Sequence, residues 1–216
     1  MTLEYQFKEP EVTSNKKPPL LLLLHGIGAD ENDLYGIHPF LDKRFFVVSA
    51  RAPYALPYGG YGWFEIYIEP GRVSINGPQF EESRTKILRF VDELISAHDV
   101  DAERIYLCGF SQGAMMSLSA LFSEPEKFAG VIAMSGRAVS ELAPTGSQTE
   151  KLKGFPILVT HGTNDPVLPI ENGRATREIL SRLPVVLEYQ EYEMGHEISQ
   201  ESLTDVSNWL SKKLDG

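Results

Sequence analysis

Arg104-Ile105-Tyr106-Leu107-Cys108-Gly109-Phe110-Ser111-Gln112-Gly113-Ala114-Met115-Met116-Ser117-Leu118-Ser119-Ala120-Leu121-Phe122 is the stretch that decides the fold. Residues 104–110 form a short, largely apolar run, as in a strand covered on both faces. Residues 112–122 follow at once and read as a helix, so a single serine separates the two elements. Working outward, apolar runs at 20–25, 45–50, 130–135 and 155–161 repeat the strand signal, and an opening strand falls near 3–8. Residues 185–192 alternate instead, with Val185, Leu187 and Tyr189 set against Val186, Glu188 and Gln190, which predicts a sheet edge. Helical patterns lie between the strands. Residues 81–97 place Ile87, Leu88, Val91, Leu94 and Ile95 on one face. Residues 172–183 are amphipathic, and 200–214 carry Leu203, Val206, Trp209 and Leu210. Strands alternating with helices predict an α/β fold with a mostly parallel sheet and helices on both faces. One domain, residues 1–216, accounts for the pattern.

Composition sets the bounds. A chain of 216 residues buries roughly 70% of its unfolded surface. It therefore holds a core without disulfide or metal. The formal charge of -10 repels phosphate backbones and gives no help on an anionic membrane, so no nucleic-acid partner is expected. The single cysteine, Cys108, forbids an internal disulfide and suits a reducing compartment. The opening residues carry no secretory pattern, and the run Leu20 to Leu24 is too short to span a bilayer. These readings place the chain in the cytoplasm.

Gly109-Phe110-Ser111-Gln112-Gly113 matches G-x-S-x-G in the strand–turn–helix setting that a nucleophile elbow requires. Glycines flank the serine because Cβ atoms there would collide in so sharp a turn. The helix behind it offers free N–H groups and a positive dipole end to negative charge. Serine needs a base, and the base needs a group to orient it. Where this elbow occurs the order is Ser, then Asp or Glu, then His. Asp165 follows the strand at 155–161, and His196 follows the strand at 185–192. Both stand at the carboxyl edge, where ligands gather in open α/β sheets. The pattern predicts an α/β-hydrolase fold with no large cap domain and a catalytic set of Ser111, Asp165 and His196. One oxyanion donor is the N–H of Gln112. The other is the N–H of Ile27, turned inward by Gly26 and Gly28.

Other residues compete for these roles. His25 and His161 also sit at strand ends, but they precede Ser111 and Asp165 respectively and read as packing or hydrogen-bonding residues. Asp205 and Asp215 lie beyond His196, and His38 and His98 read as surface residues. Gly26 and Gly28 give only G-x-G, short of a dinucleotide fingerprint. Cys108 reads as a small apolar core group. No His, Cys and carboxylate set has metal-ligand spacing. Residues 51–80 fit the pattern poorly: prolines and glycines alternate with Tyr54, Tyr58, Tyr61, Trp63, Phe64 and Tyr67. A long aromatic loop in a compact domain is usually functional. Tyr58, Trp63, Phe64 and Tyr67 are therefore expected to line an acyl or alcohol pocket, against the alternative that they pad the end of the sheet.

These residues resemble the phospholipase/carboxylesterase family, which includes bacterial carboxylesterases and acyl-protein thioesterases. The matching pieces are Leu23-Leu24-His25-Gly26-Ile27-Gly28-Ala29-Asp30, Arg51-Ala52-Pro53, Gly60-Tyr61-Gly62-Trp63-Phe64, Gly109-Phe110-Ser111-Gln112-Gly113, Met134-Ser135-Gly136, His161-Gly162-Thr163-Asn164-Asp165-Pro166-Val167 and Gly195-His196. Gly60-Tyr61-Gly62-Trp63-Phe64 is similar to the bacterial esterase branch. The resemblance implies a serine carboxylesterase acting on small-molecule esters, without a cofactor, and the homodimers that members often form. The expected substrates are esters of short to medium acyl chains. An acyl thioesterase or lysophospholipase is the neighbouring reading. A non-catalytic binding protein on the same scaffold is the reading of another class.

Overall fold

The computed structural model describes residues 1–69, 72–139 and 142–215. Pro19–Leu24 (β2) is buried along its whole length, so both of its faces must be covered. Its leucines divide by parity. Leu20, Leu22 and Leu24 enter one apolar core, and Leu21 and Leu23 enter a second on the opposite side, as the period of a strand dictates. Each leucine so buried contributes about 1.5–3 kcal/mol. This one run therefore anchors both layers.

Seven strands make the central sheet. They are β1 (Tyr5–Lys8), β2, β3 (Phe46–Ala50), β8 (Asp101–Phe110), β9 (Gly130–Met134), β10 (Pro156–Gly162) and β11 (Val186–Tyr192), in the order β1-β3-β2-β8-β9-β10-β11. Only β1 runs antiparallel, pairing Tyr5 with Ala50 through Lys8 with Val47. The other pairings are parallel. On one face lie α2 (Gly77–Ala97), α3 (Gln112–Ser123) and α4 (Ile170–Ser181), through Phe90, Val91, Leu118 and Leu180. On the other lie α1 (Glu31–Tyr35) and α5 (Gln200–Asp215), through Leu34, Val206, Trp209 and Leu210. This is the mostly parallel α/β sheet that the alternation predicts. β11 takes the edge, with Leu187, Tyr189 and Glu191 half-buried and Val186, Glu188 and Gln190 exposed. No helix among the described residues is long and apolar enough to cross a membrane.

Two departures from the sequence reading have physical causes. Helix α2 begins four positions ahead of residue 81, at Gly77. Asn76 caps it by accepting from the Gln79 N–H, and Pro78 sits in the first turn, where its missing donor does no harm. The stretch 51–80 is not one loop. It folds into two hairpins, β4 (Tyr54–Ala55) with β5 (Tyr61–Gly62) and β6 (Ile66–Glu69) with β7 (Arg72–Ile75), before α2 starts. Residues 70 and 71 of that stretch lie outside the described residues.

Helix α3 crosses β2 with backbone against backbone. A Cβ on Gly113 would fall well inside contact distance of the Leu24 carbonyl, and one on Gly109 would strike the Gly113 carbonyl. Gly113→Ala should therefore push α3 off the sheet. Urea denaturation is expected to show a loss at or above the upper end of the roughly 1–3 kcal/mol typical of overpacked cores. A variant as stable as the parent would mean that this approach is not fixed.

Candidate active site

The carboxyl ends of β2, β8, β10 and β11 bring four loops to one edge of the sheet, and the candidate residues come from them. Ser111 occupies the turn between β8 and α3 with φ 55 and ψ -114. A side chain in that region stores about 1–3 kcal/mol of strain. The neighbouring strand pins it: the Ser111 N–H donates to the Met134 carbonyl at 2.9 Å. Ser135, after β9, also has a positive φ of 46 and donates its N–H to the Thr160 carbonyl at 2.8 Å. Two successive strand ends are thus tied into their neighbours.

His196 lies in the loop after β11. Its Nε2 is 3.0 Å from the Ser111 Oγ, and its Nδ1 is 2.7 Å from the Asp165 Oδ2. A carboxylate only accepts, so Nδ1 carries the proton and the Nε2 lone pair faces the serine hydroxyl. The Phe110 ring packs against the imidazole, with centroids 4.9 Å apart. Asp165 is buried. Its second oxygen accepts from the Val167 N–H at 2.9 Å and the Leu168 N–H at 2.8 Å. Burial pushes the carboxyl up. The His196 bond and the two amide bonds outweigh it and hold the group below its ordinary value of 3.8.

The other histidines have different duties. His25 is wholly buried, donates from Nδ1 to the Gly26 carbonyl at 2.6 Å and accepts at Nε2 from the Ala52 N–H at 3.0 Å. Burial pushes its ring below the ordinary 6.5, so it stays neutral as a brace. His161 is buried and donates from Nε2 to the Leu168 carbonyl at 2.7 Å, steadying the turn that feeds Asp165. Cys108 is buried, and burial pushes its thiol up to about 12. It is a core residue. His38 and His98 are half-buried, and His98 packs on Phe46 rather than standing free on the surface.

The oxyanion candidates converge on the same edge. Gln112 is the first residue of α3, so its N–H has no intrahelical acceptor. The Ile27 N–H has no acceptor among the described residues. The loop that carries Ile27 is held on one side by a bridge in which Gly28 donates to the Tyr61 carbonyl and Tyr61 donates to the Ala29 carbonyl, each at 2.8 Å. Arg51 secures its far end. The guanidinium grips the Glu31 carboxylate through two bonds, at 2.5 and 2.6 Å, and lies over the Tyr61 ring. Arg51 in turn holds the Glu31 carboxyl below its ordinary range.

The aromatic residues need correction. Trp63 and Phe64 are fully buried, and so are core residues rather than pocket lining. The indole donates to the His25 carbonyl at 2.9 Å, and Phe64 packs on Phe80 with centroids 5.1 Å apart. A buried position for Trp63 follows from its two-ended chemistry, an apolar body with one donor that must be satisfied. Tyr58 and Tyr67 are exposed, and the Tyr67 hydroxyl donates to Glu65 at 3.0 Å. Sequence reasoning missed the side chain of Gln112. Its Oε1 accepts from the Trp63 N–H at 3.0 Å, and its Nε2 donates to the Phe64 carbonyl at 2.8 Å. It also missed the two amides on Asp165, although Asp before Pro is a turn signal that places them.

The chain is similar to known proteins along nearly its whole length. The phospholipase/carboxylesterase family model matches residues 8–214. A probable carboxylesterase of Arabidopsis thaliana, SOBER1-like, is 30% identical over 207 residues, covering 90% of this chain and 78% of its own. The acyl-protein thioesterase 1 of Debaryomyces hansenii is 31% identical over 225 residues, covering 94% and 95%. Among solved structures, esterase PE8 superposes with a TM-score of 0.81 at 26% identity, covering 97% and 98%.

The depressed Asp165 carboxyl links this site to stability. A lowered folded-state value contributes stability that is complete above the unfolded value, about 3.9, and lost as pH falls through the folded value. Urea denaturation of wild type and Asp165→Asn between pH 7 and pH 2 should therefore show a stability gap that is constant at neutral pH and closes below about pH 4. A gap that persisted unchanged to pH 2 would remove the linkage.

Proposed function

Because the chain belongs to the phospholipase/carboxylesterase family and hydrolyses carboxylic esters, we propose that Ser111, His196 and Asp165 carry the reaction through an acyl-serine. The observation behind this is the line of contacts from Ser111 Oγ to His196 Nε2 at 3.0 Å and from His196 Nδ1 to Asp165 Oδ2 at 2.7 Å. Ser111 Oγ attacks the ester carbonyl while its proton passes to His196 Nε2. Asp165 keeps the imidazole in the right tautomer and stabilises its cation. The carbonyl oxygen takes the displaced electron pair and rests on the N–H groups of Ile27 and Gln112. The tetrahedral adduct collapses, the C–O bond to the alcohol breaks, and the alcohol leaves with the proton from His196. Water then repeats the sequence on the acyl-serine and releases the acid.

The preferred esters carry short to medium acyl chains. Trp63 and Phe64 are committed to the core, which leaves the exposed Tyr58, Tyr67 and Ile27 to meet the substrate. The lone buried Cys108 fits a reducing, cytoplasmic setting. A thioester substrate is the second reading, favoured by the similarity to an acyl-protein thioesterase over nearly the whole chain. It uses the same residues and differs only in the leaving group.

Hydrolysis of p-nitrophenyl esters from acetate to palmitate tests the assignment. Wild type should turn over short chains best, and Ser111→Ala should lose about 10⁴–10⁶-fold in kcat with its fold intact. Asp165→Asn should lose about 10⁴-fold. An active Ser111→Ala would remove the assignment, and faster turnover of acyl thioesters than of matched oxygen esters would establish the second reading.

A further inference from the structure

An oxyanion hole works only if its donors stand 2.7–3.1 Å from where the oxyanion forms, so the spacing between donors matters as much as their presence. Here the two proposed donors sit on separate elements, Ile27 in the loop after β2 and Gln112 at the start of α3. One short segment touches both. Tyr61 pairs with Gly28 and Ala29, just beyond Ile27. The Trp63 indole donates to the His25 carbonyl, just before Ile27. The backbone of Trp63 and Phe64 then engages both ends of the Gln112 side-chain amide. The segment is itself anchored, since the Ser83 hydroxyl of α2 donates to the Trp63 carbonyl. His25, Trp63, Phe64 and Gln112 are all buried.

We infer that the Gln112 side chain and the Trp63 indole are positioning residues that set the distance between the two oxyanion donors. The inference rests on the reading of Ser111 and the donors given above. A buried amide with both of its ends bonded to successive residues is a poor choice for filling space, because an apolar chain of equal length does that without needing partners. It is a good choice for fixing geometry, since a fully satisfied buried network permits one arrangement. Residue 112 thus acts twice: its N–H faces the substrate, and its side chain fixes where that N–H stands.

Two variants leave every proposed catalytic group in place. Gln112→Met keeps the backbone donor and the side-chain length but loses both amide bonds. Trp63→Phe keeps most of the packing but loses the bond to the His25 carbonyl, and it stands as the second test should Gln112→Met fold poorly. A displacement near 1 Å at a reacting centre costs about 10²-fold, so kcat for a p-nitrophenyl ester should fall about 10–100-fold with KM nearly unchanged. Affinity for an alkyl trifluoromethyl ketone, which Ser111 converts to an oxyanion-bearing hemiketal, should fall in parallel. The pH profile of kcat/KM should not move, because neither variant alters Ser111, His196 or Asp165. Wild-type kcat and ketone affinity in folded variants with only a lower Tm would overturn the inference, and so would a shifted pH profile. Ser111→Ala runs alongside. If it is inactive while both variants behave as wild type, only the positioning role fails; if it is active, the reading beneath fails as well.

Discussion

The close approach of α3 to β2, glycine backbone against the Leu24 carbonyl, is the constraint on which the site depends. It sets the start of α3 beside the end of β2, so the first amide of the helix and the loop after the strand open toward one point. Side chains at residues 109 and 113 would separate them. The same contact forces the chain through the sharp turn at Ser111, and the hydrogen bond to Met134 in the adjacent strand holds the turn there. A tight packing requirement thus places the Ser111 hydroxyl and the two proposed donors together. The leucines of β2, buried on both sides of the sheet, supply the apolar anchorage that keeps the strained turn in place.

The polar groups around this turn are kept in fixed charge states by their partners. Asp165 remains ionised despite burial because three N–H groups converge on it. His25 remains neutral because burial disfavours its cation and its two nitrogens are matched to one acceptor and one donor. Arg51 and Glu31 neutralise each other at the edge of the donor loop. His196 keeps one ring nitrogen on Asp165 and turns the other toward the Ser111 hydroxyl.

How much of this could be read in the sequence differed by type of interaction. Local patterns were legible. The apolar strands, the alternation at the edge strand and the serine turn between glycines each follow from a short window, and the order of Ser111, Asp165 and His196 followed from the strands they trail. Interactions between distant segments were not. Trp63 and Phe64 read as pocket lining because aromatic residues among glycines have that look. Their burial depends on Phe80 and His25, which only the folded chain brings near. The glutamine in the elbow was legible as a backbone donor and silent as a side chain, since nothing in its window names Trp63 as a partner. The hairpins within 51–80 were hidden by their brevity, as strands of two to four residues carry almost no period to detect.

The contacts of the proposed triad join residues separated by 31 and 85 positions, and the last of these residues, His196, follows the strand at the sheet's edge. This arrangement has a kinetic meaning. Loop closure over such separations comes late and slowly compared with helix formation. An edge strand docks on one neighbour alone, so β11 can add only after β10 is in place. On the ribosome, the chain carries its serine, its aspartate and both donor loops long before residue 196 emerges. If His196 is the base proposed above, turnover is a signal of completed topology, since the sheet without its last strand does not hold residue 196 beside Ser111.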